Sequence, residues 1–104
     1  MARCYSEQLV LRVNRLDADR TGVKLAKACI KGNIPALHVS RFMGVSRMTV
    51  HNWFNGLPIR DKNEQKAKKL LRIMEEDFTA GVLPVATIDA ARNYLSSVST
   101  KLDS

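Results

Sequence analysis

Acidic residues are missing from a long reach of this chain: none occurs between Asp19 and Asp61. Cysteine is almost as scarce, with only Cys4 and Cys29, and so gives no disulfide framework. Cys29 falls at a core-like position in "LAKACIKGN" and is expected as a buried thiol. No apolar run approaches the roughly 18 to 20 residues needed to span a bilayer. The start, "MARCYSEQLVLRVNRLD", lacks the basic segment and apolar core of a signal peptide. A soluble protein of the cytoplasm, with no membrane partner, is the expectation. Internal repeats and low-complexity tracts are absent as well.

Catalytic constellations are equally hard to find. There is no Gly-rich phosphate loop, no Ser-His-Asp or Cys-His grouping, and no pair of carboxylates placed for acid–base work. Glu75-Glu76-Asp77 is expected as a solvated helix end. His38 and His51 are the only histidines, and with Cys29 they match no common zinc spacing. His38 is expected at the surface or its boundary. An enzyme is not expected, nor is a metal or cofactor.

What is present suits a single small domain. The chain has 104 residues, 45% of them apolar, enough for one hydrophobic core and too few for two. The charge is strongly lopsided. From Arg20 to Arg72 twelve basic residues stand against two acidic ones, a balance of +10, while residues 1–19 sum to zero and 73–104 to −3. Such a block attracts polyanions, nucleic acid first among them.

Periodicity points to helices. "LVLRV" alternates like a strand, while Leu9, Val13 and Leu16 have helical spacing with Ser6 as a cap, and the choice stays open. A helix opens near Thr21, with Leu25, Ala28 and Cys29 on one side and Lys24, Lys27 and Lys31 on the other, and ends at Gly32-Asn33. Pro35 opens "PALHVSRFM", with Leu37, Val39, Ser40 and Met43 inward. Leu57-Pro58 breaks the chain before a long helix with Ala67, Leu70, Leu71, Met74 and Phe78 on one face, Asp61 or Asn63 as cap, and Gly81 as its end. Thr87 can cap a last helix burying Ile88, Ala91, Leu95 and Val98, with fraying after Ser99. The fold expected is all-α: a compact bundle of about five helices. It divides into an N-terminal arm (1–19), a central domain (20–81), and a C-terminal helix and tail (82–104) that packs on the domain or forms a dimer contact.

The stretch "ALHVSRFMGVSRMTVHNWF" meets the steric demands of a helix-turn-helix. Ser40 is small where two helices cross, Gly44 suits a left-handed turn, Val45 plugs it, Ser46 caps the second helix, and Val50 and Trp53 sit three apart. On a wheel of about 100° per residue, Arg47, Met48, His51, Asn52 and Asn55 fall within about 140°. Val50, Trp53 and Thr49 lie behind, with Phe54 near the boundary. These front residues match base edges in a major groove: Arg pairs with guanine, Asn with adenine, and Met covers a thymine methyl.

The segments "PALHVSRFM" and "GVSRMTVHNWFNG" resemble the helix-turn-helix core of the phage repressor/Cro family of DNA-binding domains, over roughly residues 21 to 80. The resemblance implies that Ser46, Arg47, Met48 and Asn52 face bases and that Asn55 contacts phosphate. His51 joins the base-reading set by its place on the wheel. Where that family often has a phosphate-gripping Gln, this chain has Ala36, leaving Arg41 or Lys31 to compensate. Arg60, Lys62, Lys66 and Lys69 are further candidates for phosphate contact. The expected function is that of a phage-like, sequence-specific transcriptional regulator, binding double-stranded DNA as a homodimer. A packaging or architectural DNA-binding protein, and an adaptor docking on a host protein, are the alternatives.

Overall fold

The computed structural model describes residues 5–17 and 19–103, so Cys4 lies outside the described residues. It contains α1 (Glu7–Arg15), α2 (Thr21–Gly32), α3 (Ala36–Met43), α4 (Arg47–Phe54), α5 (Asp61–Thr79) and α6 (Ile88–Asp103), with no strand among the described residues. The all-α class is as expected, with one helix more than the pattern suggested. None of these helices is long and apolar enough to cross a membrane.

The additional helix is α1, and its local chemistry explains the choice of helix over strand. Ser6 accepts the Leu9 amide proton at 3.2 Å, Glu7 lies in the first turn, and Arg12 and Arg15 lie in the last. Both charge placements favour the helix dipole. Val13 is fully buried, and Leu9, Val10 and Leu16 are partly buried against the same core. Tyr5, just before the helix, donates its hydroxyl to the Ile34 carbonyl.

The α2–α3 corner turns on Asn33, whose φ of 61° is left-handed. The next amide, of Ile34, bonds back to the Cys29 carbonyl at 2.9 Å, and the Ile34 side chain is fully buried. An apolar side chain after a left-handed residue is the usual way to seal a helix end. The 82–86 connection is strapped to the same corner: Asn33 Nδ2 donates to the Val85 carbonyl at 3.2 Å, and the Val85 amide donates to Gly32 at 3.1 Å.

Helix α2 is the centre of the bundle, packed by α1, α4 and α5, while α6 lies against α3. Cys29 is buried in this core with Val23, Leu25, Ala26, Val39, Leu70 and Met74. Gly22 marks the closest approach, because a Cβ there would collide with the Trp53 carbonyl of α4.

Several inward assignments change. Leu37 is 37% exposed, on the wall of an open groove with Tyr5, Leu9 and Met48, and Ile88 is 62% exposed as the first residue of α6. The buried side of α6 is Ala91, Tyr94, Leu95 and Val98, and the helix runs on to Asp103 instead of fraying after Ser99. Thr87 accepts the Ala90 amide proton at 3.0 Å, as a cap should. At α5 the capping position is Arg60, without a side-chain bond, and Asp61 lies inside the first turn with Glu64. His38 is buried, 7% exposed, because α6 covers its side of α3.

Candidate nucleic-acid interface

The α3–α4 junction is built from local bonds. Gly44 has φ 72°, a conformation that side chains resist, although the space around its Cα is open. Past it, the Val45 amide bonds to the Ser40 carbonyl at 3.0 Å, and the half-buried Val45 packs on the core. Ser40 is buried, and its hydroxyl donates to the Leu37 carbonyl at 2.6 Å. Ser46 accepts the Thr49 amide proton at 3.1 Å and lies 2.9 Å from the Thr49 hydroxyl. Its side chain therefore starts α4, and that engagement competes with any contact to a base.

Helix α4 divides sharply. Val50, Trp53 and Phe54 are buried, which resolves the boundary position of Phe54 in favour of the core. Arg47, Met48, Asn52 and Asn55 are exposed, Met48 by 70%. His51 is half-buried, edge-on to Phe54 with ring centroids 6.2 Å apart. The front face carries one guanidinium, two carboxamides, an imidazole and a thioether, and no carboxylate.

Asn55 is less available than its exposure suggests. Its Nδ2 donates to the His51 carbonyl at 2.9 Å, and its Oδ1 accepts from Arg12 Nη1 at 3.5 Å. Arg12 thus adds a cation from α1 to the end of α4, a residue missed in the sequence because residues 1–19 carry no net charge. Its last-turn place beside Arg15 was the available signal.

Beside this face lies a groove of about 720 Å³ between α1, the start of α3 and α4. Tyr5, Leu9, Leu37 and Met48 give it apolar walls, and Arg47 and His51 line it too. Arg41 is elsewhere: it lines a separate pocket with His38 and Arg92 of α6. Lys31 places its ammonium 4.7 Å from the centre of the Phe78 ring.

On α5, Lys62, Lys66 and Lys69 share one face by their spacing. Lys66 donates to the Phe42 carbonyl at 2.8 Å and stacks 4.8 Å from the Phe42 ring centre, tying α5 to the end of α3. Lys62 and Lys69, one turn to either side, are exposed, as is Arg60. None of these cations, nor Arg41 or Arg47, forms an ion pair with a described carboxylate. Arg60, Lys62 and Lys69 are therefore unpaired, exposed cations flanking the point where Lys66 ties α5 to the end of α3.

No protein-family model matches the chain, and neither the curated proteins nor the solved structures include a significant match to it.

Proposed function

We propose that the protein is a sequence-specific double-stranded DNA-binding regulator that lays α4 into the major groove. The observation carrying this reading is the division of α4. Its aromatic and aliphatic side is fixed in the core, while Arg47, Met48 and Asn52 stand exposed with no acid among them. Arg47 supplies a bidentate donor for guanine, Asn52 a donor–acceptor pair for adenine, and Met48 an apolar cover for a thymine methyl. His51, edge-on to Phe54, would make a single base-edge contact, and Ser46 would make one at the helix start where its cap bond allows. Lys62, Lys69 and Arg60 carry the phosphate load, with Arg12 at the end of α4, while Arg41 lines the pocket beside α6 and takes no part. Two copies would bind half-sites about 34 Å apart, one turn of the duplex.

Selection from random duplexes tests this reading. A short consensus with two half-sites one turn apart supports it. Uniform binding with a steep salt dependence would instead assign a packaging or architectural role. The apolar groove beside α4 favours one other reading, an adaptor that seats a host protein segment between α1 and α3. Under that reading the selection returns no enriched sequence, and Leu37→Asp abolishes partner binding.

A further inference from the structure

Helices α3 and α6 enclose a second pocket, of about 240 Å³, sharing no lining residue with the groove beside α4. His38 enters it from α3, more than nine-tenths buried, and neither Nδ1 nor Nε2 has a hydrogen-bond partner among the described residues. Buried polar atoms almost always have a partner, so an imidazole with two unpartnered nitrogens, both shut off from solvent beneath the pocket, marks a place whose polar needs the chain itself leaves unmet. Arg41 lines the same pocket from the next turn of α3, and Arg92 lines it from α6. Ser96 and Ser99 add hydroxyls along α6, and Phe42 and Leu95 form apolar wall.

We propose that this pocket binds a small organic phosphate, its phosphoryl oxygens held by Arg41 and Arg92 above the buried His38 imidazole and its carbon skeleton lying against Phe42 and Leu95. Guanidiniums are donors only, and their fork matches phosphate oxygens in pairs. Two of them beside an imidazole and hydroxyls, with no carboxylate in the lining, select an anion over a cation. The apolar wall selects an organic phosphate over the bare ion.

The electrostatics agree. Burial, then Arg41, then Arg92 hold the His38 imidazole below its ordinary pKa, against a smaller upward pull from Asp89. Asp89 is itself engaged with Arg92, 3.7 Å away, on side chains 83% and 60% exposed. Of the other helices packed on α3, α5 brings Lys66 to the adjacent Phe42 carbonyl, and the α4 groups Arg47 and His51 line the opposite groove. An arriving dianion reverses this positive field, so proton uptake by His38 accompanies binding.

Calorimetry on the full chain, with phenyl phosphate and inorganic phosphate as probes and no DNA present, tests the site. Binding should be one to one, tighter for phenyl phosphate, and weakened about tenfold or more by Arg41→Gln and by Arg92→Gln, each removing a charge-assisted pair. Both arginines are exposed, so these variants keep the fold, which circular dichroism verifies. NMR titration of the His38 ring, distinguished from His51 by His51→Asn, should show its midpoint rising when phenyl phosphate saturates. Absence of binding at millimolar probe, binding that survives both substitutions, or an unmoved His38 midpoint overturns the proposal. Equal affinity for the two probes overturns its organic part. If a short duplex displaces phenyl phosphate, and Arg92→Gln weakens duplex and probe alike, the pocket holds the DNA backbone and the small-molecule ligand is refuted. Failure of the probes alone leaves the α4 reading untouched.

Discussion

Helices α3 and α4 are neighbours of equal length, eight residues each, yet they divide their surfaces differently. Helix α3 buries Ala36, His38, Val39, Ser40 and Met43, whereas α4 buries only Val50, Trp53 and Phe54. One is clasped by α4, α5 and α6, and the other is held from behind by α2 and α3. A helix covered on several sides acts as a frame, and one covered on a single side can present the rest. The same comparison explains why the polar residue His38 ends up inside α3 while the apolar Met48 stands outside α4.

The largest disruption should come from removing the back of α4. Trp53→Ala is expected to cost about 3–5 kcal/mol of stability, measured by urea unfolding followed by circular dichroism. Met48→Ala on the front should leave the same curve unchanged. Next in size is Gly22→Ala, expected to lose about 1–3 kcal/mol because its methyl must push the Trp53 carbonyl away. If Gly22→Ala proves neutral, the two backbones are not in contact.

Arg47→Ala inverts the pattern. It should leave thermal unfolding unchanged while lowering specific duplex affinity by about 1–3 kcal/mol and relaxing one base position, as read by fluorescence anisotropy. Retained specificity would mean that the exposed side of α4 is not the reading surface. Smaller still is the contrast between two lysines on α5. Lys66→Ala should lower stability by about 1 kcal/mol through the lost bond to Phe42. Lys62→Ala should spare stability and flatten the salt dependence of duplex binding by about one unit of slope.

The subtlest effect concerns acid. Because the His38 pKa is lowered in the folded state, unfolded chains take up protons there more readily. Its contribution is present above the ordinary value of 6.5 and is lost as pH falls below it. Urea midpoints across that range should drop in the wild type, and less so in His38→Asn.

The parts legible in the sequence were those fixed within a few residues. Ser40, Gly44, Val45 and Ser46 define the turn through bonds of three to five residues' reach, so the register of α3 and α4 could be read directly. The face of α4 followed from its wheel. Helix α1 stayed ambiguous because its apolar residues fit both a period of two and a period near 3.6. The Ser6 cap and the docking of Val13 decide between them, and docking depends on residues distant in the chain. His38 was misplaced for the same reason, since the helix that covers it lies some fifty residues further on. Lys66 reads from its spacing as a phosphate-contacting cation like Lys62 and Lys69, and its carbonyl partner, 24 positions away, is invisible to that spacing. Arg12 disappeared into a segment whose charges cancel.

Gly22 carries one last implication. Since the α2 backbone at Gly22 lies directly against the Trp53 carbonyl, there is no room there for a side chain, and the end of α4 is held against main chain. Exchanging Arg47, Met48 or Asn52 for other residues would therefore change the outward chemistry of α4 while its placement stays constant. Under the proposed function, new targets would then be acquired, by evolution or at the bench, through these outward positions alone.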